Sequence, residues 1–362
     1  MLVAVSTEGE LIYASEVKSK YTSTTEFYCP HCSQRVFFKV SHRGKSFFSH
    51  LTKCNHNESR IKPLETEEHL LGKEIILSEL QSVDNQYVQS EFFFSQINQH
   101  ADVFVKTTGH SINTIIFEFQ RSIIPAHEVY LRNYNYEQEV DQVHWLIDYH
   151  ATKKLQINQR WIQTMLNYCA DDGFHLKLLD LHSKEIVIQH NLPVIFKKDN
   201  IEYKERRVTL EDFQKINRAK NSHSKIIRVS SSKTKEKQYF RQLNSITNSE
   251  TYRQNIYLLY QHGTILAELP KWVFIDEWQI LITKTPSWLV FSWILTLLKQ
   301  MNGTFNTEEF TEKIRTCTEI QLADTPLIHE DVYSILSMSI LVLFMRKGII
   351  EMKSKHIWIV KN

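Results

Sequence analysis

Along this chain the hydrophobic pattern changes period several times, and each change marks a new element. Up to about residue 60, short apolar runs are broken by turn residues. Leu2-Val3-Ala4-Val5 and Leu11-Ile12-Tyr13-Ala14 read as a hairpin, and Arg35-Val36-Phe37-Phe38-Lys39-Val40 and Ser46-Phe47-Phe48 as two strands around Arg43-Gly44-Lys45. From 65 to 82 the period lengthens, and Leu70, Leu71, Ile75, Ile76, Leu77 and Leu80 form one helical stripe. Strands follow at 87–94, 99–105 and 115–120, the last two folded about Gly109. A helix over 125–140 opens on Pro125, and Val143-His144-Trp145-Leu146-Ile147 reads as a buried strand. The order is α-β-β-β-α-β, with the last strand returning after a helix as a parallel crossover would.

The second half is less regular. Residues 161–169 read as a helix containing Cys169, and 176–181 with 185–190 as a hairpin. Helices are expected at 287–301, 307–316 and 330–347, followed by a hairpin tipped by Lys353-Ser354-Lys355. Three helices and a basic-tipped hairpin suggest a winged-helix-like module, and a plain helical protein-interaction domain fits equally well. The reading divides the chain into a small β module (1–60), an α/β core (61–150), an extension (151–245) and a mostly helical carboxy-terminal region (246–362).

Composition narrows the class without choosing a partner. The chain has 362 residues, with plentiful aromatics, few Gly and Pro, and a formal net charge of +2. It is therefore long enough for two or three packed domains. The start lacks a basic n-region or a long apolar stretch. The most apolar segment, 288–298, is too short to span a bilayer. A cytoplasmic protein with no membrane span is the expectation. Charge is concentrated between Lys215 and Arg241, where Lys215, Arg218, Lys220, Lys225, Arg228, Lys233, Lys235, Lys237 and Arg241 are interleaved with serines. That segment is either a mobile path for a phosphate backbone or a solvated linker.

The chemistry sits on two strands. Gln99-His100-Ala101-Asp102-Val103-Phe104-Val105 and Ile115-Ile116-Phe117-Glu118-Phe119-Gln120 each interrupt an apolar run with an acid. A buried carboxylate is costly unless it is paired or holds a metal. Folding about Gly109 sets Asp102 opposite Glu118, and Gln120 shares the face of Glu118. Asp102, Glu118 and Gln120 could thus converge on a divalent ion suited to phosphodiester hydrolysis. Two ordinary strands with a solvated acid each remain the alternative. On the preceding helix Glu65, His69 and Lys73 are spaced by four, with Glu68 beside them.

Of the five cysteines, three lie early. Cys29-Pro30-His31-Cys32 is followed by a hairpin and then by His50-Leu51-Thr52-Lys53-Cys54. A C-x2-C turn and a second ligand pair beyond a hairpin can close a tetrahedron around structural Zn²⁺ through Cys29, Cys32, His50 and Cys54. Three reduced thiols in a small β module are the alternative. Cys169 and Cys317, inside apolar helical patterns, are expected as buried small hydrophobes.

Taken together, these features resemble a known family. An αβββαβ core with an acid on its second strand and Glu-x-Gln on its third resembles the PD-(D/E)XK, or restriction-endonuclease-like, superfamily. The wider set resembles the competence protein CoiA family. It comprises the Cys-Pro-x-Cys module with Phe47-Phe48-Ser49-His50, Glu65-x-x-Glu68-His69 leading to Lys73, Ala101-Asp102-Val103, Glu118-Phe119-Gln120-x-Ser122, Arg132, Tyr136 and Trp145-Leu146-Ile147. The resemblance implies a cytoplasmic protein that acts on incoming DNA in natural transformation and recombination. Asp102 and Glu118 would hold Mg²⁺ or Mn²⁺, Glu65 or Glu68 would complete the site, and Gln120 would stand where relatives carry lysine. Lys73 could supply the missing positive charge. The expected function is a metal-dependent deoxyribonuclease acting on DNA, single-stranded for preference, with recombination or competence proteins as partners. The alternative is a non-catalytic adaptor that passes single strands to recombination proteins.

Overall fold

The computed structural model describes residues 3–14, 17, 25–29, 33–40, 46–51, 66–108, 112–152, 160–197, 200–215, 224–230, 236–275, 278–301 and 303–361. At the amino end, β1 (Val3–Ser6), β2 (Leu11–Tyr13), β3 (Phe27–Tyr28), β4 (Arg35–Val40) and β5 (Ser46–His50) make one sheet in the order β2-β1-β3-β4-β5. Its own small core gathers Ala4, Ile12, Phe27, Val36 and Phe48.

The chain then runs through α1 (Glu67–Gln81), β6 (Gln86–Phe94), β7 (Gln99–Thr107), β8 (Thr114–Gln120), α2 (Ala126–Glu137) and β9 (Gln142–Asp148). Strands β6, β7 and β8 are antiparallel neighbours, and β9 lies parallel to β8. Alternation sends Val103, Val105, Ile115, Phe117 and Phe119 to one face, against Ile75, Ile76 and Leu80 of α1. It sends Phe104 and Ile116 to the other, against Tyr136 of α2. Helices on both faces explain why these strands are nearly continuous apolar runs.

Helix α1 begins two residues later than the periodicity suggests. Thr66 is its N-cap, accepting from the His69 amide at 3.3 Å, and Glu67 and Glu68 occupy the first turn. Glu65 lies outside the described residues. Gly72 sets how close the helix comes, because a Cβ there would stand 2.2 Å from the Phe119 ring. That approach brings the next residue, Lys73, over the strand ends.

The sheet does not stop at β9. It continues through β10 (Asn167–Cys169), β11 (Gly173–Asp180), β12 (Glu185–Leu192), β13 (Ile195–Lys197), β14 (Asn200–Val208), β15 (Lys225–Ser230) and β16 (Trp278–Ile280), in the order β16-β13-β14-β12-β11-β9-β8-β7-β6. Strand β10 pairs with β11 and β15 with β14. The helix expected over 161–169 is only Arg160–Thr164, and Cys169 ends a strand. Pairing of Asn167–Cys169 with β11, rather than local spacing, decides the conformation there. Within the basic stretch, Lys225–Ser230 is a strand on β14 and Glu236–Thr247 a helix, so those parts are not linker. Residues 216–223 and 231–235 lie outside the described residues.

At the carboxy end, α3 (Ser287–Met301), β17 (Thr304–Asn306), α4 (Thr307–Thr316), α5 (Val332–Arg346), β18 (Ile350–Ser354) and β19 (Ile357–Val360) follow in that order. The hairpin gains β17 as a third strand, ordered β17-β19-β18. One apolar cluster joins these helices to Trp145, Ile147, Leu176 and Val187 of the large sheet. No helix among the described residues is long and apolar enough to cross a membrane.

Candidate active site

The acids stand where the central ladder opens. Pairing between β7 and β8 runs from Lys106↔Thr114 to Val103↔Phe117 and ends there. The next rung of the same register is Asp102 opposite Glu118. In place of the ladder bond, the Phe119 amide donates to Asp102 Oδ2 at 2.9 Å. On the other side, Ser90↔Val103 and Phe92↔Ala101 place Glu91 at the level of Asp102. Three neighbouring strands therefore contribute an acid at one level. Glu91 has a φ of 53°, unusual for a non-glycine residue within a strand.

Helix α1 supplies the positive side. Lys73 is fully buried and pairs with Glu91, and its Nζ lies 3.9 Å from Asp102 Oδ1. His69 Nε2 lies 3.5 Å from Asp102 Oδ2 and donates to the Phe119 carbonyl at 2.7 Å. A carbonyl only accepts, so this contact assigns the Nε2 proton. Burial pushes the Asp102 carboxyl upward, but His69, Lys73 and the more distant Arg132 outweigh it and hold it at about 2. Asp102 is thus an anion at neutral pH despite its surroundings.

Glu118 is turned to the opposite helix. It is fully buried, with Arg132 of α2 donating to Oε2 at 2.5 Å and Tyr136 donating to Oε1 at 2.6 Å. The Arg132 guanidinium also lies over Trp145, 5.2 Å from the ring centroid. Burial and the Glu118 charge together keep the Tyr136 phenol well above its ordinary value. Asp102 and Glu118 share a level but are drawn to different helices. Among the described residues their oxygens do not join a three-ligand cluster.

The remaining candidates separate. Gln120 is half-buried at the end of β8. Glu68 accepts from Arg121 at 2.8 Å, and Arg121 donates its Nε to the buried Asp148 at 2.7 Å. This chain ties the start of α1 to the ends of β8 and β9, so Glu68 is engaged by Arg121. Two contributors were not read from sequence as site residues. Glu91 carried the same signal as Asp102, an acid inside an apolar strand before Phe92-Phe93-Phe94. His69 was seen on the right helix face, but its bond to the Phe119 carbonyl is a tertiary fact.

In the amino-terminal module, Cys29 is buried just beyond β3 and His50 closes β5. Tyr28 pairs with Arg35, and His50 with Val36, so Cys29 and His50 occupy the same end of the sheet with β4 between them. The Cys29 amide donates to Gln34 O at 2.8 Å, and the Ser33 amide donates to Cys29 O at 2.9 Å. Cys32 and Cys54 lie outside the described residues.

A mixed α/β core with opposed acids where its central strands part is consistent with a nuclease-like domain. Comparison with family models agrees: residues 65–211 match the competence protein CoiA, nuclease-like domain. Over that segment the chain is CoiA-like, as its motifs suggest. Comparisons with curated proteins and with solved structures gave no match.

Proposed function

We propose that this protein is a divalent-metal-dependent nuclease of the competence type, acting on DNA through Asp102, Glu118 and Lys73 in a PD-(D/E)XK-like core. The observation that carries the reading is Asp102. It is held ionised at the open end of β7 and β8, bonded to the Phe119 amide and within 3.9 Å of a buried lysine. The donor set fits the ion, since carboxylates and a backbone carbonyl are the hard oxygen ligands that Mg²⁺ and Mn²⁺ prefer. Bound there, such an ion supplies an activated water and neutralises charge on the scissile phosphate. Asp102 would be its firm ligand. Glu118 would contribute the lone pairs that Arg132 and Tyr136 leave unused. His69 fixes the Phe119 carbonyl, and Lys73 provides the cation that Gln120 lacks, close to where negative charge develops. Gln120 can orient water or phosphate only by hydrogen bonds.

We further read the amino-terminal module as a structural zinc site of Cys29, Cys32, His50 and Cys54. It is supported by Cys29 and His50 lying at the same end of the sheet, on either side of β4. A second reading of the core is a DNA-binding adaptor without cleavage. It is favoured by the engagement of both Glu118 oxygens with Arg132 and Tyr136.

The test uses purified protein with labelled single- and double-stranded DNA in Mg²⁺, Mn²⁺ or EDTA. Cleavage that needs metal and is lost in Asp102→Ala and in Glu118→Ala supports the enzyme. Salt-sensitive binding without cleavage supports the adaptor. Absence of any DNA binding would sink both readings.

A further inference from the structure

Away from the acids, on the far side of the same sheet system, lies a second group of ligand-type side chains that the nuclease reading does not use. Cys169 ends β10, Asp172 sits in the following turn, and His175 is the third residue of β11. Their sulfur, oxygen and nitrogen ligand atoms all lie within 4.8 Å of one another. The turn holding them is tightly fixed. Cys169 pairs with Gly173, which has a φ of 60°, and the Asn191 amide donates to Asp172 O at 2.7 Å.

A fourth residue, His190 of β12, borders this trio on the Asp172 side. His190 is 6% exposed, its Nδ1 makes no hydrogen bond, and that atom lies 3.4 Å from Asp172 Oδ1. Its other nitrogen contacts Ser224 Oγ at 3.1 Å. A buried ring nitrogen that makes no hydrogen bond is rare in a folded protein and calls for a physical reason. His175 is preset in the complementary way. Its Nδ1 donates to Gly173 O at 3.0 Å, which leaves Nε2 as a lone pair, the arrangement that commonly orients metal-ligating histidines.

We propose that Cys169, Asp172, His175 and His190 form a metal site of the Zn²⁺ class. One thiolate, two imidazoles and one carboxylate form a borderline-soft set that suits zinc and disfavours Mg²⁺ or Ca²⁺. Arg206 donates to both Asp172 oxygens, at 2.9 and 2.7 Å, and so orients the carboxylate while leaving each oxygen a further lone pair. Lys177, two residues beyond His175 on β11, donates to Asn167 Oδ1 of β10 at 3.2 Å. Four protein ligands close the coordination sphere, so the site is structural. It clamps the β10–β11 turn to β12 and stiffens this part of the sheet.

The experiment must separate this site from the amino-terminal one. Full-length protein is compared as wild type, Cys29→Ser/Cys32→Ser, Cys169→Ala/His175→Ala and the combination, with zinc measured by elemental analysis. The Cys169→Ala/His175→Ala change is expected to remove about one zinc per chain in either background. Unchanged zinc content would overturn the proposal. To keep the test independent of how the variants fold, wild-type crystals are also examined at the zinc absorption edge. An anomalous peak about 2.0–2.3 Å from Cys169 Sγ and His175 Nε2 supports the site, and its absence in zinc-containing crystals overturns it. Loss of the amino-terminal zinc alone leaves this peak in place.

Discussion

Replacing Arg132 with Met should expose how much of this core depends on one buried ion pair. Methionine keeps an apolar stem against Trp145 and Tyr136 but removes the cation from Glu118, whose side chain has no solvent exposure. Tyr136 remains as a donor to Oε1 at 2.6 Å. Stripping one partner from a buried pair generally costs about 3–5 kcal/mol. Here the loss has a ceiling, because Glu118 can neutralise itself by binding a proton. At pH 7, protonating a carboxyl of ordinary pKa near 4.3 costs about 3.7 kcal/mol, and at pH 5 about 1 kcal/mol. The expectation is therefore a loss of about 3–4 kcal/mol at pH 7 that shrinks to about 1 kcal/mol at pH 5. Glu118→Gln added to Arg132→Met should recover most of the loss, since the amide carries no charge to strand. Urea denaturation at both pH values measures the differences. A loss below about 1 kcal/mol that does not change with pH would refute the argument, because it would mean that Glu118 reaches solvent or another cation.

Gly72→Ala gains about 1 kcal/mol in helix propensity but drives a methyl into the Phe119 ring, where overpacking costs about 1–3 kcal/mol. A net loss in urea stability, relieved by Phe119→Leu, is expected, and a stabilised variant would contradict the packing. Lys73→Ala should abolish metal-dependent cleavage while salt-sensitive DNA binding persists, and unchanged cleavage would remove Lys73 from the site. Asp180 is held at about 2, with burial raising it and Arg207, the His182 amide and His150 together lowering it further. Its folded value lies below its unfolded value, so its contribution is present above about pH 4 and fades as pH falls towards 2. Asp180→Asn should thus cost about 2 kcal/mol near pH 6 and little at pH 2, and a cost that is independent of pH in chemical denaturation would argue against the linkage. For the amino-terminal module, chelation should lower the melting temperature of wild type more than that of Cys29→Ser. Equal shifts would dissociate Cys29 from the metal.

Several elements were legible in the sequence because their physics is local. The period-two runs at β7 and β8, the six-residue apolar stripe of α1 and the start of α2 at Pro125 each follow from side-chain spacing and backbone restriction within a few residues. The placement of Asp102 opposite Glu118 in register was also legible, since one turn fixes the register. Where sequence reading went wrong, a distant partner decided. Cys169 looked helical because its neighbours are apolar, yet it lies on a strand because β11 pairs with it. Lys225–Ser230 looked like part of a mobile basic segment or a linker, yet β14 captures it.

By itself, then, the sequence marked the candidate residues: the acids within apolar strands, the lysine one turn beyond His69, and the early cysteine turn. Only the tertiary structure decided what those residues touch. It gave Asp102 to Lys73 and His69, Glu118 to Arg132 and Tyr136, and Glu68 to Arg121. The reason is range. Strand and helix patterning is set by neighbours in the chain, whereas a buried charge is placed by whichever opposite charge the packing of α1 and α2 brings to it.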